Sequence, residues 1–176
     1  MEDLRFPIGP FVAPAMVNAE MRKRLINDIR YLPSLLEIAV QTLDAHQLET
    51  PYRPGGWTVA QVVHHVADSH MNGFTRVKLA LTEDNPTIKP YDQEAWAELA
   101  DVQYTPINVS ITLLHALHAR WVAVLEHMEA KDWDRTFFHP GNNAAYDLST
   151  HLANYSWHGL HHLAHIERLK EREGWK

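Results

Sequence analysis

The segment His151-Leu152-Ala153-Asn154-Tyr155-Ser156-Trp157-His158-Gly159-Leu160-His161-His162-Leu163-Ala164-His165 decides both how this chain folds and where its chemistry lies. Each residue of a helix turns roughly 100° about its axis. On that wheel Leu148, Leu152, Leu163 and Ile166 form an apolar stripe, as on a helix packed against a core. His151, His158, His162 and His165 fall within an arc of roughly 60° beside the stripe. Asp147 can cap this helix and Gly174 can stop it, so it is expected to run from Asp147 to about Arg172. Such a stripe needs partner helices to cover it.

The partners lie upstream. From about Asn18 to Leu48, Leu25, Ile29, Leu32, Leu36, Ala39, Val40 and Leu43 recur at helical spacing. Pro33 falls inside that run and is expected to kink or divide it. After the loop Thr50-Pro51-Tyr52-Arg53-Pro54-Gly55-Gly56, Thr58 and Gln61 have capping-box spacing, which starts a helix reaching about Thr82. Another helix follows from about Ser110 to Glu129, with Leu113, Leu114, Leu117, Trp121, Val124, Leu125 and Met128 on one face. Residues 83–107 and 131–146 read as connections, the first holding a short helix around Gln93–Leu99. No segment alternates with a two-residue period over strand length. The expected fold is all-α, an up-down four-helix bundle with long inter-helix loops. Residues 1–176 form one domain, with 1–15 as an extended arm carrying Pro7, Gly9, Pro10 and Pro14. Long loops in a bundle often carry function.

Composition narrows the chemistry. A net charge of -6 argues against nucleic-acid binding. No apolar run approaches the ~20 residues of a membrane span, and no basic start with an apolar stretch marks a secretory signal. A cytoplasmic protein is expected. With Cys 0 and His 13, a metal site must be built from imidazole and carboxylate.

Histidines four apart on a helix can turn both rings toward one ion. His158/His162 and His161/His165 have that spacing, and the first pair lies nearer the apolar stripe, with His161 on the outer side. The third ligand is sought on the second long helix. His65 lies at the edge of its apolar arc, whereas His64 is expected to face solvent and His70 to be buried and hydrogen-bonded. The metal set is therefore His65, His158 and His162. Asp68 is the nearest carboxylate in sequence and the candidate catalytic group. Asn72, Asn154 and His165 are candidates to support the ligands or replace one. His115, His118, His127 and His139 read as surface or packing residues, and Trp57, Trp96, Trp121 and Trp157 as core.

Thr50-Pro51-Tyr52-Arg53-Pro54-Gly55-Gly56-Trp57-Thr58-Val59, followed by Gln61-Val62-Val63-His64-His65-Val66-Ala67-Asp68-Ser69-His70-Met71-Asn72, resembles the DinB-like superfamily, and in it the YfiT-type branch. Phe6-Pro7-Ile8-Gly9, Lys89-Pro90-Tyr91-Asp92 and the segment from Trp157 to Ile166 match that branch as well. The resemblance implies a four-helix bundle with three histidines at a divalent metal, carried over to His65, His158 and His162. It implies a homodimer, and it implies metal-dependent hydrolase or bacillithiol S-transferase activity. Many relatives have glutamine where this chain has His165, which leaves His165 open as a fourth or alternative ligand.

Three neutral imidazoles leave zinc an open position. A water there would make a hydrolase; a small exogenous thiol would make an S-transferase acting on electrophiles. The absence of cysteine fits the second, because the thiol then arrives with a small-molecule cosubstrate. A metal-binding bundle without catalysis is the third reading. Zinc is expected by abundance and coordination habit, with nickel as the alternative.

Overall fold

The computed structural model describes residues 3–176, so Met1 and Glu2 of the expected arm lie outside the described residues. Among them, four long helices form the bundle: α1 (Ala19–Val40), α3 (Val59–Thr82), α6 (Ile107–Glu126) and α7 (Leu148–Glu173). Shorter helices α2 (Ala45–Leu48), α4 (Gln93–Trp96) and α5 (Ala100–Tyr104) sit in the connections.

The helix starts follow local chemistry. Asn18 caps α1 by accepting from Met21 N–H. Thr58 and Gln61 close the expected capping box of α3 in both directions. Asp147 caps α7 by accepting from Thr150 N–H, and Gly174 ends it in the left-handed region at φ 68°. Pro33 neither divides α1 nor ends it; the helix runs through it to Val40, and the break before α2 lies at Gln41–Asp44.

The four-helix bundle stands as expected, with a particular winding. α1 packs on α6 and α7, and α3 packs on the same two, so α1 and α3 sit across a diagonal. Asp28 meets Ser156 and Ala39 meets Lys170, so α1 and α7 run parallel. His64 meets Ser110 and His70 meets His118, so α3 and α6 are parallel too. The order of directions is up, down, down, up, so the bundle and its helical class are as expected while the up-down alternation is interrupted between α3 and α6. The long connection over 83–106 makes this possible, because it returns the chain to the end of the bundle where α3 began.

The sequence showed no strand, but residues 131–147 hold a short hairpin. β1 (Thr136–His139) pairs antiparallel with β2 (Ala144–Asp147). Four residues are too few to show a period of two. The 83–106 connection docks on this hairpin through Ile88 N–H to the Phe138 carbonyl, 3.0 Å, and Phe138 N–H to the Pro86 carbonyl, 2.9 Å. α6 is long and apolar enough to cross a membrane by length and composition, contrary to the reading of the sequence. Its buried face, with Leu114, Leu117, Trp121 and Leu125, packs in the bundle.

The interior has two apolar layers. One gathers Ile29, Val77, Trp121, Leu125 and Leu152. The other gathers Leu32, Leu36, Val62, Leu114 and Ile166. Buried histidines and serines lie at the join: His65, Ser69, His70, His118, Ser156 and His162. Polar groups this deep must find partners inside the protein.

Candidate metal centre

α3 and α7 run antiparallel and approach closely. A Cβ on Gly73 would sit 2.5 Å from the Tyr155 ring and 2.9 Å from Trp121, so only glycine fits there. Farther along this seam His65 of α3 faces His158 and His162 of α7. One ring nitrogen from each lies within 4.8 Å of the others. His65 Nε2 and His158 Nε2 are 3.2 Å apart. Two lone pairs at that distance repel unless a proton or a cation lies between them. Nitrogens bound at about 2.0–2.1 Å to one tetrahedral ion stand roughly 3.3 Å apart. The three residues therefore fit a divalent metal. Burial favours their neutral forms. It is the main cause holding His65 at about 4, followed by the nearby His161, and it holds His158 and His162 well below the ordinary value. Neutral imidazole is the form a metal needs.

A cavity of about 260 Å³ opens over the three rings. Its walls come from three parts of the chain. The loop after α2 contributes Arg53 and Trp57, turned inward by Tyr52 N–H to the Trp57 carbonyl at 3.0 Å and by Gly55 at φ 67°. The N-terminal arm contributes Arg5 and Phe6, and α4 contributes Glu94. The arm is tied along α7: Trp157 Nε1–H donates to the Gly9 carbonyl at 3.1 Å, and His165 Nε2 lies 3.2 Å from the Arg5 carbonyl.

His161, His162 and His165 form a second group of nitrogens. It shares His162 with the first and its His165 Nε2 is held by the Arg5 carbonyl. A neutral His162 has one lone pair and cannot serve two ions at once. The other two rings of the group pack around His162 from behind. His165 Nδ1 lies 3.4 Å from His162 Nδ1, and Tyr52 stacks on His165 at 3.9 Å.

Other expectations need correction. His64 is buried, with Nδ1 2.8 Å from Ser110 Oγ, because α6 covers the face assigned to solvent. His161 is buried rather than outer, because Phe6 of the arm lies over it and Trp157 stacks on it at 4.5 Å. Trp57 and Trp157 line the cavity; Trp57 also packs against the second apolar layer, as expected, and its ring lies 4.5 Å from that of His65. Trp121 is core, and His70 is buried and hydrogen-bonded as expected.

Asp68 is half-buried, but it is not among the residues lining the cavity. Burial, and after it Asp101, raise its carboxyl to about 6. Asn72 donates back to the Asp68 carbonyl at 2.9 Å, and Asn154 lines a separate cavity with Arg76 and His139. Among the described residues, no hydrogen bond ties any of the three to His65, His158 or His162, and none lines the cavity over them. The carboxylate that does line the cavity is Glu94, which accepts from Trp57 Nε1–H at 3.1 Å. The sequence reading passed over it; its signal was Asp92, which caps α4 inside the long connection.

The sequence pattern of the DinB superfamily matches residues 28–166. The chain belongs to the DinB superfamily. Among its relatives in that superfamily is a Bacillus mycoides protein, 50% identical over 175 residues that cover 99% of this chain and 100% of the relative. A Bacillus cereus protein is 51% identical with the same coverage. Both bear the name "Putative metal-dependent hydrolase". The solved structure of YfiT from Bacillus subtilis superposes with a TM-score of 0.96 at 43% identity, covering 98% of this chain and 99% of YfiT. YfiT is described as "a probable metal-dependent hydrolase with an unusual four-helix bundle topology".

Proposed function

We propose that this protein is a divalent-metal enzyme in which His65, His158 and His162 hold the ion, and that it transfers a low-molecular-weight thiol of the bacillithiol kind to electrophiles. The observation that carries this reading is three neutral nitrogens at the floor of an open cavity. A divalent ion bound there would acidify an exogenous thiol or water. The chain's own residues do the rest. Arg5 and Arg53 line the cavity and favour an anionic cosubstrate. Phe6, Trp57 and Trp157 shield the floor from bulk water and offer apolar area to the electrophile. A thiol acidified by a metal needs no general base at the floor, and Asp68, the half-buried carboxyl, is not on the cavity wall. Zinc suits three imidazoles with an open position, and nickel is accepted by the same ligands.

Hydrolysis is the second reading. The names of the relatives favour it, and so does Glu94, whose carboxylate lines the cavity and could take a proton from a water. The two readings separate in one assay series on zinc-loaded and chelated protein. Conjugation of monochlorobimane with a panel of cellular thiols should require the metal in the first case. Silence with every thiol, together with metal-dependent cleavage of ester, amide or phosphoester substrates that Glu94→Gln slows, would replace the first reading by the second.

A further inference from the structure

Pro33 lies inside α1 and has no N–H. The Ile29 carbonyl, one turn earlier, therefore lacks its helical donor. His118 of α6 fills the gap: its Nδ1 lies 2.5 Å from the Ile29 oxygen. A carbonyl can only accept, so the proton of the His118 ring is on Nδ1 and the lone pair is on Nε2. That lone pair faces His70 Nδ1 at 3.0 Å. His70 must then carry its proton on Nδ1 and keep its lone pair on Nε2. The His70 lone pair in turn faces His158 Nδ1 at 3.2 Å. His158 is left with a proton on Nδ1 and a lone pair on Nε2, the nitrogen turned toward His65.

Each contact removes one of two tautomers, and the sequence of choices starts at a proline on a different helix. Burial keeps the inner rings neutral; it holds His118 at about 4 against the ordinary 6.5. A shorter chain acts on the neighbouring ring. The Arg5 carbonyl places the His165 proton on Nε2, so His165 Nδ1 accepts from His162 Nδ1–H and the His162 lone pair is on Nε2. Both histidines contributed by α7 are presented in the same form.

We propose that His118 and His70 are positioning residues that lock His158 in its Nδ1–H tautomer, with the Nε2 lone pair turned into the three-histidine cluster, and that Pro33 starts the chain by leaving the Ile29 carbonyl free. The consequence for metal affinity rests on the metal reading above; the tautomers do not. Partners behind a metal ligand typically set affinity by 10–100-fold.

The test uses the full-length protein with ¹⁵N-labelled histidine, free of metal and then zinc-loaded, at mildly alkaline pH. Long-range ¹H–¹⁵N spectra should show a protonated Nδ1 and an unprotonated Nε2 for His118, His70 and His158 before any metal is added. A protonated Nε2 on metal-free His158 would overturn the proposal, and that measurement needs no variant. His70→Leu should mix the His158 tautomers and weaken zinc binding roughly 10–100-fold in competition with a chelator. His70→Gln, whose carbonyl can accept from His158 Nδ1–H, should recover most of that loss. A folded His70→Leu protein that binds zinc as tightly as the unaltered chain would reduce His70 to packing. Wild-type protein with these tautomers but no zinc affinity would sink the metal reading and leave the tautomer chain standing.

Discussion

His64 and His65 are adjacent, both buried, and differ in what they meet. His65 Nε2 meets His158, whereas His64 Nδ1 meets Ser110 across the α3–α6 interface. Replacement by alanine should separate the two roles. His162→Ala or His158→Ala should abolish stoichiometric zinc in elemental analysis of untagged protein. His64→Ala should retain one equivalent while losing about 1–3 kcal/mol in denaturant unfolding, the cost of the gap left by the buried His64 ring and of its lost contact with the half-buried Ser110 hydroxyl. Loss of the metal on changing His64, with retention on changing His65, would move the site to the other face of α3. At this scale the helical wheel turned His65, His158 and His162 toward one another, and the structure brings their rings together; it misplaced His64 and His161. A wheel knows only its own helix, and the burial of those two comes from α6 and from the arm.

Elements bring the ligands together by how closely α3 and α7 approach. That approach is set at Gly73, two turns beyond His65 along α3, where Tyr155 and Trp121 leave no room for a methyl group. The Tyr155 hydroxyl donates to the Ser69 carbonyl at 3.0 Å, and His151 Nε2 lies 3.0 Å from the Gly73 carbonyl, so the contact is polar as well as tight. Gly73→Ala should push the helices apart and cost about 1–3 kcal/mol, the range for overpacking a core. Thermal unfolding measures the loss, and zinc affinity should fall with it. An unchanged melting temperature would show that the seam can absorb a methyl group. The elements themselves were legible because their signals are local: Thr58 with Gln61, Asp147 and Gly174 fix helix ends wherever they occur. The hairpin was not legible. Its pairing of Thr136–His139 with Ala144–Asp147 depends on the 83–106 connection docking alongside.

For the whole molecule, burying a histidine layer between two apolar layers makes stability depend on pH. His65, His118 and His151 are held at about 4, 4 and 3, below the ordinary 6.5, chiefly by burial. As pH falls, the unfolded chain takes up these protons first. Their contribution is complete above 6.5 and is lost as pH falls toward about 4. Asp68 runs the other way. Its carboxyl is raised from 3.8 to about 6, so its contribution is complete below 3.8 and is lost as pH rises through about 6. Three deeply buried imidazoles outweigh one half-buried carboxyl. Urea unfolding of metal-free protein should therefore show stability declining steadily from about pH 7 to about pH 4.5. A flat or rising profile over that range would mean that the rings are already charged in the folded state.

The sequence by itself determined the four long helices, the capped starts of α3 and α7, the stop at Gly174 and the helical arcs on which His65, His158 and His162 lie, because helix periodicity and capping act within a few residues. Only the tertiary structure decided the rest. It placed α1 and α3 on a diagonal, drew Glu94 rather than Asp68 to the cavity wall, and laid the arm over His161. It also joined Pro33 to His158 through two histidines that the sequence had set aside as packing or buried residues. The physical reason is the same in each case. A buried donor or acceptor must find its partner wherever the fold supplies one, and here the partners lie on other helices, tens of residues away in the chain.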